Sequence, residues 1–402
     1  MFRKMYRMRA AVLMLCVYIV TSLLSAIGIC AYAEENSGGD SQIGDISSPS
    51  CILVEASTGQ VLYENNCDVA MAPASVTKIM TLLLTFEAID KGQISLEDIV
   101  TVSEHAASMG GSQCFFESGE EQTVEDMIKC IIIASGNDAA VAMAEKIAGS
   151  EEAFVRLMNK KATELGMKDA CFKNACGLDA EGHKMSARDI SLMSRELITK
   201  YPDIFNYSGI WMDSIIHKTR RGESRFDLVN TNKFLNMYTG ATGLKTGFTN
   251  TAKYCMSATA DRDGIQLIAV IMGAETKDIR NKDACRLLDY GYSLCQKYTD
   301  NNVIEEDKIS IDKGTSSYVT IKTDSQFDGI LLNGEKVEDV IKKVEFSDDL
   351  CAPIKKDDEL GRMSYYAGDR YIGSAKIYAA EDIDSMNIKY AFLKVLRVQF
   401  QY

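Results

Sequence analysis

The chain of 402 residues reads as an α+β protein, an antiparallel sheet flanked by helices, with a small β-rich C-terminal domain. Three observations lead there. Strand-like segments Cys51 to Glu55 and Val61 to Asn65 precede a helix-rich stretch from Ser75 to about Lys200. A block of three strands follows, Gly243 to Gly247, Lys253 to Ala260 and Ile265 to Met272, and one antiparallel sheet drawn from both ends of the region buries both sets of apolar faces. After Asp300 the pattern changes to short alternating strands, such as Tyr318-Val319-Thr320-Ile321-Lys322 and Tyr371 to Tyr378, with turn signals such as Asn333-Gly334.

Taken in order, the first element is an export signal. Met1 to Arg9 carries Arg3, Lys4, Arg7 and Arg9 with no acid, Ala10 to Ile29 is almost wholly apolar, and Ala31-Tyr32-Ala33 is a small-x-small cleavage site. The apolar run is also long enough to span a bilayer if left uncut, so an uncleaved anchor is the alternative. Cys30 follows Ile29 instead of a small residue, which argues against lipid attachment there. The expected division is a signal peptide over 1–33, a linker over 34–49, a main domain over 50–298, a β-rich domain over 299–385 and a terminal helix over 386–402.

The main domain opens with a hairpin around Ala56-Ser57-Thr58-Gly59-Gln60. Thr77 to Ile89 then carries apolar residues on every side, among them Ile79, Met80, Leu82, Leu83, Leu84 and Phe86, and a helix apolar all round is a buried one. Ser75 stands at the N-terminus of this helix, where free N–H groups and the positive dipole end favour developing negative charge. Val124 to Ala134 and Asp138 to Ile147 read as two further helices, broken by Ser135-Gly136-Asn137. The second pair within the strand block, Lys253 to Ala260 and Ile265 to Met272, is joined through Asp263-Gly264, a tight hairpin turn, and a helix runs from about Lys277 to Cys295.

Three clusters carry chemistry: Ser75-Val76-Thr77-Lys78, then Ser135-Gly136-Asn137 60 residues on, then Lys245-Thr246-Gly247 after a further 110. Each alone is weak. Lys78 shares a helix face with Ser75, and a desolvated ammonium near other cations can give up its proton and act as the serine's base. The plain alternative is an N-cap serine followed by a surface lysine. The loop at Ser135 can project a hydroxyl to relay a proton and the Asn137 carboxamide to hold a carbonyl or orient Lys78, or it is simply a helix C-cap with Gly136 left-handed. Lys245 points from its strand as a fixed cation for a carboxylate, and the Phe248 backbone N–H can pair with that of Ser75 as an oxyanion hole.

In this order the clusters match the signature of penicillin-binding proteins and class A β-lactamases. The chain resembles the D-alanyl-D-alanine carboxypeptidases, the low-molecular-mass penicillin-binding proteins, nearest to their Gram-positive branch, some members of which are linked to sporulation. Ala72-Pro73-Ala74-Ser75, Gly111-Ser112-Gln113, Ala134 to Ala140, Leu165-Gly166-Met167, Ser186-Ala187-Arg188-Asp189, Asn230-Thr231-Asn232 and Gly243 to Gly247 all read as family segments, from about Cys51 to Cys295. The resemblance implies Ser75 as acylated nucleophile, Lys78 as general base and Ser135 as proton shuttle. It implies that Asn137, Thr246, Gly247 and Phe248 line the substrate site and that Lys245 receives the terminal carboxylate. Peptidoglycan stem peptides ending in D-Ala-D-Ala are then the substrate and β-lactams the inhibitors, with no cofactor or metal. Thr242, Cys114 and Cys176 depart from the family pattern, and Asp179 in Gly177-Leu178-Asp179 reads as a turn aspartate.

Two other readings stay open, a class A-like β-lactamase and a non-catalytic wall-binding protein. Class A enzymes deacylate with a Glu-x-x-Leu-Asn motif between the second and third clusters, and neither Glu164 nor Glu181 begins one. A metal-dependent peptidase is disfavoured: the histidines are His105, His183 and His217, with no His-Glu-x-x-His and no Cys-x-x-Cys.

Charge and cysteine content complete the reading. The net charge of −13 becomes −17 once the four cations of the leading segment are removed, so nucleic acid is excluded as a partner. Ten of the twelve cysteines lie beyond that segment, scattered through apparent core elements, which predicts buried free thiols, with disulfides the alternative for an exported chain. The β-rich domain resembles the family's C-terminal domain, a stalk. Met386 to Tyr402 sets Ile388, Ala391, Phe392, Val395 and Leu396 against Lys389, Lys394 and Arg397, an amphipathic helix suited to a membrane surface or, alternatively, docked on the protein.

Overall fold

The computed structural model describes residues 43–219, 222–301, 304, 308–324 and 326–387. The expected signal segment and residues 388–402 of the expected terminal helix lie outside them; Met386 and Asn387, expected to begin that helix, are not helical, since the Met386 N–H donates to the Lys313 carbonyl of the folded part. Strands β1 (Ser50–Glu55) and β2 (Val61–Asn65) form the hairpin. Glu55 sets its turn, one carboxylate oxygen accepting the Ser57 N–H and the other the Thr58 N–H, each at 2.8 Å. The 3₁₀ turn Ala74–Thr77 leads into α1 (Lys78–Asp90). Pairing of β3 (Ile99–Thr101) with β4 (Glu121–Thr123) brackets the short α2 (Glu104–Ala107). Then come α3 (Val124–Ile132), α4 (Asn137–Ala148), α5 (Glu151–Glu164), α6 (Ala187–Lys200) and α7 (Phe205–Ser208). Thr123, Ser150 and Ser186 cap their helices with side-chain oxygens, and Ser186 forms a reciprocal capping box with Asp189, the physical role of that segment.

A hairpin of β5 (Met212–Thr219) and β6 (Gly222–Val229) precedes the strand block β7 (Ala241–Thr249), β8 (Lys253–Arg262) and β9 (Ile265–Ala274), and α8 (Lys277–Leu294) closes the domain. The sheet order is β2-β1-β9-β8-β7, antiparallel throughout, so the two chain ends do meet in one sheet. The turn after β8 has Asp263 at φ 55° and Gly264 at φ 82°, the paired positive values of a type I′ hairpin. Both sheet faces are covered. Ile52, Val54, Ile268 and Val270 face the helical core, while Gly291 of α8 sits against Leu53 and Leu267 on the other side. A strand covered on both faces reads as a continuous apolar run, which is why β9 lacks alternation.

The C-terminal part is built from β10 (Gln296–Asp300), β11 (Lys308–Ser310), β12 (Tyr318–Thr323), β13 (Phe327–Leu331), β14 (Val340–Phe346), β15 (Glu359–Ala367) and β16 (Arg370–Ala379). Five of these form a sheet in the order β11-β12-β16-β15-β14, and β10 pairs with β13. Its own core centres on Phe327 and Tyr365, stacked with ring centroids 3.9 Å apart. Among the described residues no helix is long and apolar enough to cross a membrane. The ten cysteines there are free, as the sequence suggests, but only seven are buried, Cys171 and Cys285 being part-exposed and Cys351 exposed; burial pushes the Cys51 thiol up to about 12 and that of Cys255 to about 11, which keeps both unreactive.

Helix α1 is the centrepiece, with every residue from Lys78 to Phe86 buried. Leu83→Ala should therefore lower stability by about 2–5 kcal/mol, the range for a truncated core leucine. Chemical denaturation of the full chain reads this as a lower midpoint. An unchanged midpoint would show that α1 is not the packed centre described here.

Candidate active site

Ser75 lies inside the 3₁₀ turn and not at the first residue of the α-helix, and Ala74 just before it takes φ 49°, outside the α-helical range. Lys78 then begins α1 with its side chain wholly buried. Its Nζ donates to Ser75 Oγ at 3.1 Å, to Asn137 Oδ1 at 2.6 Å and to the Cys176 carbonyl at 2.6 Å. The first two clusters are thus bonded directly. Asn137 is itself fixed, its Nδ2 donating to the Gly110 carbonyl at 2.6 Å, and a Cβ on Gly111 (φ +82°) would lie only 2.8 Å from that nitrogen.

Ser135, not Gly136, takes the left-handed conformation, at φ 61°. That geometry costs a non-glycine residue roughly 1–2 kcal/mol and is held by hydrogen bonds from the two residues that follow it. Gly136 N–H donates to the Cys130 carbonyl at 3.0 Å and Asn137 N–H to the Ser112 carbonyl at 2.7 Å. The next residue, Asp138, is buried and accepts the N–H groups of Cys114 and Ala139, so its charge is satisfied by backbone donors.

The third cluster forms the opposite wall. Gly247 of β7 passes so close that a Cβ would lie 2.9 Å from the Ser75 backbone nitrogen and 3.0 Å from the Pro73 oxygen, so no side chain fits. Lys245 is buried, with Nζ 3.2 Å from the Thr246 carbonyl, and the Thr246 hydroxyl meets that of Thr231 at 3.4 Å. Phe248 is half exposed, its ring 4.4 Å from that of Tyr254. A cavity of about 360 Å³ beside the nucleophile is lined by Pro73, Ala74, Gly177, Asp179, His183 and Thr251. Asp179 accepts the Thr249 hydroxyl at 2.8 Å and so ties its loop to the end of β7, which fits a turn aspartate with a structural bond.

Electrostatics follow from burial. Desolvation pushes the Lys78 ammonium down to about 8, against the opposing pull of Cys176, Asp138 and Cys114. Lys245 is pushed well below its ordinary value by burial and then by the nearby Lys78 and Arg280, and burial lowers Arg280 to about 10. Among the described residues the hydrogen-bond acceptors of these three cations are neutral: Ser75, Asn137, the Cys176 and Thr246 carbonyls, and Asn281. The cleft thus gathers three basic side chains whose direct hydrogen-bond acceptors carry no charge. The three histidines are engaged separately, His105 with Glu151, His217 with Glu120 and His183 with Thr77.

Sequence reasoning did not single out the Cys176 carbonyl, the Gly110 carbonyl, Arg280 or His183. Backbone acceptors carry no side-chain signature, and Arg280 is one cation in the first turn of an ordinary-looking helix. The Gly177-Leu178-Asp179 loop was the available pointer to Cys176.

A serine hydroxyl bonded to a buried amine, beside a strand that bears a second buried lysine, fits a serine peptidase of the acyl-transfer kind. Residues 36–276 match the D-alanyl-D-alanine carboxypeptidase family and residues 292–385 match the C-terminal domain of penicillin-binding protein 5. The chain belongs to the D-alanyl-D-alanine carboxypeptidase family. It is 41% identical to the D-alanyl-D-alanine carboxypeptidase DacF of Bacillus subtilis over 92% of this chain and 94% of that protein. With DacC of Escherichia coli the identity is 31%, covering 83% of each. Among solved structures, penicillin-binding protein 3 from Streptococcus pneumoniae superimposes with a TM-score of 0.70 at 26% identity, covering 85% of this chain and 100% of that one.

Only the neutral amine can accept the serine proton. The acylation rate should therefore rise with pH through about 8 and level off above it, the profile of a base whose ammonium burial has weakened. Stopped-flow measurement of acylation between pH 5.5 and 10 checks this. A profile flat across that range would mean that Lys78 is not the base.

Proposed function

We propose that the protein is a serine-type D-Ala-D-Ala carboxypeptidase that removes the terminal D-alanine from peptidoglycan stem peptides. One observation carries the reading: Lys78 Nζ joins Ser75 Oγ to Asn137 by direct hydrogen bonds, and the strand that bears Lys245 passes against Ser75 at Gly247. Lys245, with Arg280 behind it, receives the substrate's terminal carboxylate, while Thr246 and Asn137 align the peptide. Ser75 Oγ attacks the penultimate D-alanine carbonyl and passes its proton to Lys78. The tetrahedral oxyanion faces the backbone N–H groups of Ser75 and Phe248. Collapse breaks the C–N bond, and the departing D-alanine amine takes its proton through Ser135. Water then cleaves the Ser75 ester, releasing the shortened peptide as a carboxylate.

A β-lactam presents a strained amide and a carboxylate in the same spacing and acylates the same serine. The sequence lacks the Glu-x-x-Leu-Asn motif with which class A β-lactamases deacylate, so the adduct is released slowly. Benzylpenicillin should give a stable covalent adduct on Ser75 that disappears in Ser75→Ala, and muropeptides ending in D-Ala-D-Ala should lose one alanine. Mass spectrometry reads both. An adduct on another residue, or penicillin turnover with no attack on the muropeptide, would overturn the assignment.

The reading places the enzyme outside the cell: cleavage behind Ala33 exports it, and a helix beyond Asn387 holds it on the outer face of the cytoplasmic membrane. The support is compositional. Lys389, Lys394 and Arg397 each add about 1 kcal/mol near an anionic surface, and the apolar face inserts. Met386 N–H donates to the Lys313 carbonyl at 2.7 Å, so a chain ending at Asn387 keeps the folded edge intact. The mature chain should sediment with anionic vesicles and be partly released by salt, and the shortened chain should stay in solution yet still bind penicillin. Equal vesicle binding by both would refute the anchor.

A further inference from the structure

The segment from Lys173 to His183 closes over the base. Cys176 presents its carbonyl to Lys78, and Gly177 (φ +89°) is pressed so hard against the nucleophile turn that a Cβ would lie 1.9 Å from the Ala74 oxygen and 2.9 Å from Thr77 Oγ1. Asn174 organises the turn from within, accepting the Gly177 N–H at 2.6 Å and donating to the Leu178 carbonyl at 2.8 Å. Thr81 of α1 donates its hydroxyl to the Ala175 carbonyl at 2.6 Å.

His183 fastens the two ends. It is buried, its ring edge-on to Phe172 at 6.0 Å. Nδ1 accepts the Lys173 N–H at 3.0 Å, so the ring proton sits on Nε2 and is donated to Thr77 Oγ1, 2.9 Å away. Thr77 is the residue immediately before Lys78. Burial holds the imidazole down to about 4, with Asp179 pulling up and Lys173 pushing down, so the bonding pattern is constant across the working range.

Resting on the acyl-transfer reading of Ser75 and Lys78, we propose that His183 is a positioning residue for acylation: bridging Thr77 and the Lys173 backbone, it seals the Asn174–Leu178 turn over Lys78 and keeps water from the base. The groups facing Lys78 are Asp138, Cys114, Cys176 and Lys245, and desolvation outweighs them. Removing the tie lets the turn lift and admits water, and the ammonium regains part of its ordinary proton affinity. The fraction of neutral amine at pH 7 then falls.

The test is the pH profile of penicillin acylation for the full chain and for His183→Ala, His183→Gln and Thr77→Val. In His183→Ala and Thr77→Val the midpoint should move up by about one pH unit, which slows acylation at pH 7 about tenfold, while rates converge at alkaline pH. His183→Gln offers an acceptor and a donor in similar places and should recover most of the shift. A midpoint unmoved in these variants, with rates unchanged or lowered equally at every pH, would overturn the proposal and leave His183 a structural residue. Should His183→Ala not fold, Thr77→Val decides alone, since it exchanges one hydroxyl for a methyl. If the unaltered chain shows no adduct on Ser75, the acyl-transfer reading itself fails.

Discussion

The structure is organised around one ammonium group kept out of water. Lys78 has no exposed surface, and its three acceptors, the Ser75 hydroxyl, the Asn137 carboxamide and the Cys176 carbonyl, are all uncharged. Moving its proton affinity from 10.5 to about 8 amounts to about 3 kcal/mol in favour of the neutral amine. An isolated buried cation is unstable unless its surroundings are fixed, and much of the fold supplies that fixity. Helix α1 is apolar all round because it passes through the middle of the domain, α4 and its preceding loop aim Asn137, and the Lys173 to His183 segment closes the last side.

The sheet gives the site its second wall. Strand β7 is the outer strand of five, held by β8, and its approach to Ser75 is so close that only glycine is accommodated at Gly247. Behind it Lys245 and Arg280 add positive charge with neutral acceptors only. In a chain of net charge −13, this local reversal suits the anionic terminus of the proposed substrate.

Much of this was legible in the residues. The i,i+3 spacing of Ser75 and Lys78 follows from helical geometry, the all-round apolar pattern from Thr77 to Ile89 announced a buried helix, and Asp263-Gly264 announced its turn. The strand block and the N-terminal hairpin could be assigned to one sheet because each needed a partner for its apolar face. Other features left no trace in residue type. The 3₁₀ start at Ala74, the positive φ of Ser135 and the carbonyls of Gly110 and Cys176 are backbone properties imposed by tertiary contacts. Gly136 looked like the left-handed residue on propensity alone, but the bonds to Cys130 and Ser112 place that conformation one residue earlier. His183 read as one of three unremarkable histidines until its two bonds were seen.

The account stands or falls on the state of the Lys78 amine, which can be observed without any turnover. Titration of the Lys78 ζ-nitrogen by NMR in lysine-labelled protein, assigned with Lys78→Arg, should show a midpoint near 8. A midpoint near the ordinary 10.5 would show that water reaches the amine and that burial does not create the base.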